Sequence, residues 1–189
     1  MIELIGAHYM PAIETDRLTL RRLTMRDARD IFEYSRDADV ARHVLWDAHT
    51  SLSDAKGYIR YMLRRYHSFD PASWGIEWRE TGKIIGTIGF MWIQFEHSVA
   101  EVGYSLAKNY WNRGIMTEAL DAVLHHAFYD LRLNRIEALH EVENPASGAV
   151  MRKCGMKYEG CMRQKLYNKG RYVDVNLYAI LREEFSSQI

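Results

Sequence analysis

The sequence predicts a single α/β domain with about seven strands and about four helices, and three observations lead to this fold class. At about 150 residues per domain, the 189 residues leave room for one domain, residues 1–189, with residues 1–13 as an N-terminal extension. Apolar residues at 48% and charged residues at 26% match the globular average. Strand and helix patterns follow one another in the order β-α-α-β-β-β-α-β-α-β-β.

The first half of the chain contains three predicted strands and two predicted helices. Residues 17–23 alternate leucines with polar residues, which is the period of a strand with one solvent-exposed face. Thr24 is a candidate N-cap for a helix that runs to about residue 36. Ser51 or Ser53 caps a second helix that ends near residue 68. Two stretches rich in aromatic and β-branched residues predict an antiparallel hairpin, at residues 74–78 and 83–95.

The second half contains the most strongly patterned helix. Residues 100–107 alternate an apolar face with a polar face that carries Glu101, which predicts a strand. Residues 114–131 show apolar side chains every three and four positions without a breaker. Asn144 before Pro145 is typical of an N-cap followed by the first residue of a short helix. The remaining strands are predicted at residues 135–142, 158–167 and 171–181.

Charge and composition exclude several classes of partner. The 25 Lys and Arg residues equal the 25 Asp and Glu residues, so net charge gives no reason to expect direct contact with nucleic acid or an anionic membrane. Apolar runs are far shorter than the ~20 residues of a membrane span, and the N-terminus lacks a signal-peptide pattern, which predicts a cytoplasmic protein. Cys154 and Cys161 are expected as free thiols, and the histidine and cysteine spacings predict no metal site.

The start of the long helix is the first candidate for binding chemistry. Gly114 opens this helix, and the first N–H groups of any helix have no intrahelical acceptor. These donors and the positive end of the helix dipole attract anions, and a phosphate is the obvious candidate. The alternative is that Gly114 only permits a tight entry turn.

The segment around this glycine carries a family resemblance. Residues 110–119, Tyr-Trp-Asn-Arg-Gly-Ile-Met-Thr-Glu-Ala, closely resemble the Y-W-x-x-G-x-A-T-E-A box of the RimJ/RimL-like branch of the GNAT N-acetyltransferases. The resemblance implies that the backbone around Arg113, Gly114, Ile115, Met116 and Thr117 cradles the pyrophosphate of acetyl-coenzyme A. The box departs at Met116, whose side chain either crowds the phosphate or turns into the core.

Further boxes occur in the family's order and extend the resemblance from Glu14 to Leu181. Residues 14–21 are similar to the opening strand, residues 100–104 to the fourth strand, and residues 155–160 to the G-F-x-x-E-G box with methionine in place of phenylalanine. Residues 144–147 resemble the N-x-x-S helix cap, and Asp174 with Tyr178 the final D-x-x-x-Y. The implied architecture is the GNAT fold, a mixed, mostly antiparallel twisted sheet flanked by helices, with splayed strands that admit the pantetheine arm.

Glu101 is the predicted general base. Acetylation of an amine needs a neutral nitrogen, so a base must take its proton directly or through water. Glutamate at this strand position serves as the base in some GNAT enzymes, which supports Glu101. The alternative is that Glu101 pairs with Arg113 or Arg135 and holds the sheet together, and Glu159 is the reserve candidate.

The resemblance leaves the proton donor for the departing thiolate open. Many GNAT enzymes use a tyrosine seven residues after the motif asparagine, and Met151 occupies that position. Ser147, a water held by Asn144, or Tyr178 are the alternatives. Asn144 contacts the pantetheine arm or only caps its helix, and Ser105 and Leu106 are expected to pair with the pantetheine amides as a neighbouring strand would.

The last strand supplies candidate acceptor-binding residues. Tyr172, Asp174 and Tyr178 share one face, which predicts either a polar aromatic wall at the acceptor site or a solvent-facing edge.

These observations predict transfer of the acetyl group from acetyl-coenzyme A to an amine by direct attack. The resemblance favours a protein N-terminal α-amine, as in ribosomal-protein acetyltransferases. A small amine, such as a polyamine, an amino acid or an antibiotic, is the first alternative. A non-catalytic acetyl-coenzyme A sensor is the second, and dimers among similar proteins leave a homodimer open.

Overall fold

A single eight-stranded sheet organises the structure, a computed structural model that describes residues 10–186. The strand order is β1-β2-β3-β4-β5-β6-β8-β7, and every neighbouring pair is antiparallel except β5 and β6. The strands are β1 (Ile13–Glu14), β2 (Leu18–Arg21), β3 (Ser73–Trp78), β4 (Lys83–Gln94), β5 (Val99–Leu106), β6 (Arg135–Glu141), β7 (Lys157–Asn168) and β8 (Arg171–Leu181).

Helices cover both faces of this sheet. They are α1 (Ala28–Ser35), α2 (Ala38–Ala41), α3 (Leu52–Ser68), α4 (Ile115–His125), α5 (Pro145–Lys153) and α6 (Arg182–Ser186). The consecutive residues Tyr104 and Ser105 of β5 identify the two faces, because successive side chains of a strand point to opposite sides. Tyr104 bonds Ser147 of α5, whereas Ser105 lies near Tyr34 of α1. We call these the α4–α5 face and the α1–α3 face.

The sheet divides between its two parallel strands. The β5–β6 pairing covers only Val99–Val102 and Arg135–Ala138. Beyond it, the rest of β5 stays paired with β4, while the rest of β6 stays paired with β8. We call the resulting gap the fork, and its apex lies at Val102 and Ala138. The splayed strands that the resemblance implies are therefore present.

The predicted fold class is confirmed, and the differences concern short elements. The structure adds β1, α2 and α6 to the seven strands and four helices expected, because segments of two to five residues are too short for periodicity to reveal. Residues 1–9 of the predicted extension lie outside the described residues, whereas Met10 is buried and Ile13 pairs with Leu20. Both cysteines are free, with Cys154 buried and Cys161 exposed. No helix within residues 10–186 is long and apolar enough to cross a membrane.

Gly89 tests how tightly the centre of the sheet is packed. A Cβ atom at Gly89 would lie 2.2 Å from the carbonyl oxygen of Ala72 and 2.3 Å from the Cα atom of Ser73. Because both are backbone atoms, Gly89→Ala should lower the free energy of unfolding by roughly 2–3 kcal/mol. Gly57→Ala is the matched control, since its nearest neighbour would be 4.0 Å away and alanine favours a helix by up to ~1 kcal/mol. Urea denaturation of the two variants should move their midpoints in opposite directions, and equal midpoints would contradict this packing.

Candidate active site

A cleft of about 590 Å³ lies at the fork. Its walls come from the end of β5, residues 110–117, the start of α5, and the stretch 39–44 that includes the end of α2. This volume lies within the ~300–1,000 Å³ typical of small-molecule sites. The nine predicted cofactor-binding residues all line it: Ser105, Leu106, Arg113, Gly114, Ile115, Met116, Thr117, Asn144 and Ser147. Residues from three separate stretches of the chain thus meet at one place.

The N-terminus of α4 presents unpaired N–H groups to this cleft. Gly114 has a φ of 72° and forms the entry turn, and the first helical bond joins the Glu118 N–H to the Gly114 carbonyl at 3.1 Å. The N–H groups of Ile115, Met116 and Thr117 have no acceptor among residues 10–186. Three converging donors and the helix dipole form a seat for an anion.

The Met116 side chain does not obstruct this seat. It is 6% exposed and belongs to the hydrophobic core. Of the two conformations that the sequence left open, the structure shows the one that turns the side chain into the core. The Met116 N–H therefore remains available at the cleft.

Glu118 anchors the entry turn from the side. Its carboxylate accepts hydrogen bonds from the Thr15 hydroxyl at 2.6 Å, the Arg17 N–H at 2.9 Å and the Arg17 guanidinium at 2.7 Å. Arg17 also donates to the Arg113 carbonyl at 3.0 Å. Burial opposes ionisation, but these three bonds outweigh it and lower the pKa of the Glu118 carboxyl. We call this set the β2 anchor, because Arg17 directly precedes that strand.

Arg113 contributes a fixed positive charge beside the anion seat. Its guanidinium carbon lies 5.4 Å from the ring centroid of Trp78 and 5.3 Å from that of Tyr110. Cation–π contacts on two rings restrict the side chain. The charge therefore stays near the start of α4 without a carboxylate partner among the described residues.

Asn144 caps α5, and Ser147 bonds to β5. The Asn144 side-chain oxygen accepts from the Ser147 N–H at 3.4 Å, so the expected cap is present, and the residue also lines the cleft. The Ser147 hydroxyl donates to the Tyr104 hydroxyl at 3.0 Å, which in turn donates to the Ser147 carbonyl at 3.0 Å. Burial raises the pKa of Tyr104. Sequence reasoning placed Tyr104 on an apolar face and missed its hydroxyl.

The position of the family's usual proton donor, Met151, and one of the alternative donors, Tyr178, lie away from the cleft. Met151 is 1% exposed and lies in the core. Tyr178 is buried, and its hydroxyl accepts from Arg152 at 2.9 Å outside the cleft. Among the candidates named from the sequence, Ser147 and Asn144 remain at the site.

Glu101 lies at the apex of the fork on the α1–α3 face. It does not line the cleft itself, but it precedes the cleft residue Tyr104 by three positions on β5. Its carboxylate accepts from the Trp92 indole N–H at 2.9 Å and stands opposite Glu137 on β6. Burial raises the pKa of Glu101, the Trp92 bond opposes this, and the charge of Glu137 adds to the increase.

No arginine within residues 10–186 bonds Glu101, so the alternative in which Glu101 pairs with Arg113 or Arg135 is not what the structure shows. Arg113 lies between two aromatic rings, and Arg135 bonds Glu137 at 2.7 Å. Arg135 also holds the reserve candidate Glu159 in a bidentate pair, which lowers the pKa of Glu159. Glu101 is therefore the more basic of the two candidate carboxylates.

The predicted acceptor wall does not lie at the cleft. Tyr178 pairs with Ala138, which pairs with Val102, so Tyr178 shares a face with Val102 and not with Glu101. The Asp174 carboxylate accepts from the Gln164 N–H at 2.8 Å in a bulge of β7. Tyr172 is 66% exposed, and its ring packs against that of Tyr167, 5.1 Å between centroids. The sequence showed that these side chains share a face but did not show which face.

Sequence reasoning did not predict a second polar cluster that lies at the cleft. His43 follows α2 and lines the cleft, and its Nδ1 atom lies 2.8 Å from the buried Glu141 carboxylate, 98 residues along the chain. Asn168 donates to the other Glu141 oxygen at 2.5 Å. No motif joins these positions, so the sequence carried no signal for them. Within the described part of the chain, no group of three metal-ligating side chains is close enough to hold a metal ion.

The chain matches a known family and several named relatives. The family described as acetyltransferase (GNAT) domain matches residues 17–157. Uncharacterized N-acetyltransferase YoaA of Bacillus subtilis (strain 168) is 36% identical over 91% of this chain and 97% of its own length. The ribosomal-protein-serine acetyltransferase of Escherichia coli (strain K12) is 37% identical over 51% and 54%, and the spermidine N(1)-acetyltransferase of Vibrio cholerae is 25% identical over 89% and 95%.

A solved structure shares the same fold. The crystal structure of an acetyltransferase of the GNAT family from Bacillus anthracis superimposes with a TM-score of 0.82 at 27% identity, covering 92% of this chain and 100% of that one. The sheet order and the fork therefore belong to a known architecture.

The β2 anchor predicts a pH-dependent contribution to stability. Glu118→Gln should lower the free energy of unfolding at pH 7, because a charge-assisted hydrogen-bond network is lost. The loss should be limited to about 1–2 kcal/mol, because Arg17 is partly exposed to solvent. The folded-state pKa of Glu118 is lowered. Its contribution is therefore complete above the ordinary pKa of about 4.3 and disappears as pH falls through the lower folded-state value.

Urea titrations at pH 7, 5 and 3 provide the measurement. The gap between wild type and Glu118→Gln should be widest at pH 7 and narrow toward pH 3. Glu96→Gln, on the exposed turn between β4 and β5, is the control and should match wild type throughout. A gap independent of pH would exclude the ionised carboxylate as its source.

Proposed function

Because the chain belongs to the GNAT acetyltransferase family, whose members use acetyl-coenzyme A as acetyl donor, we propose that its fork holds this donor and transfers the acetyl group to a protein N-terminal α-amine. The observation that carries the proposal is the convergence of the nine predicted residues on one cleft, at a helix start with unpaired N–H groups. The alternative that Gly114 serves only a tight turn does not account for that convergence.

The residues around the cleft fit the parts of the donor. The N–H groups of Ile115, Met116 and Thr117 suit a diphosphate, with the fixed charge of Arg113 beside them. Beyond the apex, the β5 edge that faces β6 has no partner strand. An extended amide-bearing arm can pair with this edge near Ser105 and Leu106 as an added strand. The Leu106 carbonyl already accepts from the Trp111 indole at 2.7 Å.

Two groups near the apex handle protons in this proposal. When bound, the donor supplies a thioester, whose carbonyl carbon is open to an amine and whose thiol leaves readily. Glu101 accepts a proton from the acceptor nitrogen, since its raised pKa brings the carboxylate closer to neutral pH than an ordinary glutamate. The hydroxyl pair of Tyr104 and Ser147 lies at the cleft, where a hydrogen bond to the leaving sulfur is within the chemistry of either group.

The acceptor class rests on the relatives. The ribosomal-protein-serine acetyltransferase supports a protein N-terminus, and its match includes about half of each chain. The spermidine acetyltransferase matches almost its full length at lower identity and makes a small polyamine the second candidate. A homodimer and a cytoplasmic location remain predictions.

A panel of acceptors tests the function. The protein is mixed with acetyl-coenzyme A and either a lysine-free peptide with a serine N-terminus, the same peptide with its α-amine blocked, or spermidine, and free thiol is followed. Release should occur with the free peptide and not with the blocked one. Release with spermidine alone would reassign the acceptor to small amines. Binding of coenzyme A in calorimetry without turnover by any acceptor would favour a sensor, and absence of binding would overturn the proposal.

A variant of Glu101 tests the base. Glu101→Gln should reduce kcat by about 10²-fold or more, as expected for loss of general-base catalysis, because the amide cannot accept the nitrogen's proton. The affinity for coenzyme A should remain unchanged, since Glu101 does not line the cleft. Glu96→Gln serves as the control with unaltered kcat. Full turnover by Glu101→Gln would remove Glu101 from the mechanism.

A further inference from the structure

His43 is the histidine at the cleft, and its ring is oriented by a buried carboxylate. The residue lies just after α2, on the stretch that forms one wall, and its side chain is 19% exposed. Its Nδ1 atom faces the Glu141 carboxylate at 2.8 Å. Its Nε2 atom has no hydrogen-bond partner among residues 10–186. With Nδ1–H donating to Glu141, the neutral ring presents the Nε2 lone pair.

The surroundings of Glu141 leave one of its carboxylate oxygens to bond His43. Glu141 is 5% exposed, and a buried carboxylate is costly unless its oxygens are bonded. Asn168, equally buried, donates to one oxygen, which leaves the other for His43. Arg171 approaches only to 3.8 Å and forms its bidentate pair with Glu143 instead. The chain of hydrogen bonds from Asn168 through Glu141 to His43 thus fixes one tautomer and one orientation of the His43 ring, as the carboxylate does in a catalytic triad.

Glu141 and Glu101 lie on the same face of the sheet. Glu137 stands opposite Glu101, and Glu141 follows Glu137 by four residues on β6, so all three side chains point toward the α1–α3 face. Through Glu141, His43 therefore contacts the β6 arm of the fork three residues beyond the apex, where Glu101 lies. An acceptor that enters past α2 meets His43 before it reaches Glu101.

The proton balance of amine acetylation requires two such groups. Near neutral pH an α-amine is mostly the ammonium form, since its pKa is about 7.7–8.0. Its nitrogen loses two protons on becoming an amide. One of them balances the charge of the departing thiolate, and the other goes to solvent. A base at the cleft wall is suited to take the first proton, before the nitrogen lone pair attacks the thioester. A base at the apex is suited to take the second proton.

We propose that His43 is a catalytic residue that accepts the first proton of the incoming ammonium at Nε2, and that Glu141 and Asn168 are its positioning residues. This inference rests on the proposed acetyl transfer and adds a step to it. The imidazolium then releases the proton to solvent at the cleft, while Glu101 takes the second proton.

Most charged groups around His43 are paired with one another or with backbone carbonyls. Asp39 pairs with Arg42 and Lys108, Glu143 pairs with Arg171, and Lys169 bonds the Val44 and Trp46 carbonyls. Glu141 is the carboxylate in direct contact with the imidazole. The charged residues that line the cleft together with His43 are Asp39, Arg42, Arg113, Glu143 and Lys153, and Arg171 lies 3.8 Å from the Glu141 carboxylate that His43 contacts.

The pH profile of His43→Gln distinguishes this role from a structural one. Without the base, the enzyme depends on the neutral amine already present in solution. At one pH unit below the pKa of the amine, kcat/KM for the serine peptide should therefore be about tenfold below wild type. Above that pKa, the difference should vanish to within about twofold, because deprotonation is then complete in solution. Glu141→Gln should show a loss of the same shape and smaller size, since it removes the charge that stabilises the imidazolium.

The controls separate the outcomes. His97→Gln changes an exposed histidine on the β4–β5 turn and should follow wild type at every pH. Glu101→Gln should stay impaired at high pH. A His43→Gln profile parallel to wild type, or identical to it, overturns the proposal for His43 and leaves acetyl transfer standing. Absence of turnover by wild type overturns the proposed function and this step with it.

A readout independent of turnover completes the test. In protein labelled with ¹³C-histidine, the His43 ring signal is identified by its absence from His43→Gln. With coenzyme A bound, addition of the serine peptide should shift the His43 signal, while the His97 signal stays fixed. A His43 signal that does not respond to the peptide would show that the acceptor amine does not reach Nε2.

Discussion

The structure depends on one interruption of hydrogen bonding, the end of the β5–β6 ladder at Val102 and Ala138. Unpaired strand edges are ordinarily costly or prone to aggregation. Here each arm keeps one partner, since β5 remains bonded to β4 and β6 to β8. The gap can therefore persist without unravelling either arm, and the backbone groups that line it remain available to an extended ligand. The cleft, the anion seat and the two proposed bases are arranged around this gap.

Tertiary contacts fix the anion seat as much as local sequence does. Gly114 provides the turn, but Arg17 and Thr15 hold it in place through Glu118 and the Arg113 carbonyl. The anchor joins the start of α4 to residues directly before β2, which lies three strands from β5 in the sheet, so the donors cannot shift independently of the sheet. A helix start in a flexible loop would offer the same N–H groups with a larger entropic cost on binding.

Much of this arrangement followed from the sequence, and the exceptions share a cause. Strong periodicity predicted α4, the motif glycine predicted the helix entry, and the family boxes predicted the cleft residues, because all of these are local patterns. The partner of Glu101 and the face of Tyr178 depend on strand register, which a single strand does not encode. The contact of His43 with Glu141 joins positions 98 residues apart. Neither a lone histidine nor a glutamate at the end of a strand indicates such a contact in the sequence.

The two faces of the sheet divide the chemistry between them. The helix starts of α4 and α5 bring the anion seat and the Tyr104–Ser147 hydroxyls to one side, whereas Glu101 and Glu141 project to the other. In the proposed reaction, a donor bound at α4 and an acceptor entering past α2 approach from opposite sides, and an intact sheet would keep them apart. They can meet only where the ladder is missing. The fork is thus a passage through the sheet as well as a groove, which fits the proposal that the acceptor loses its first proton to His43, held by Glu141 of β6, and not to a group on the helices proposed to hold the donor.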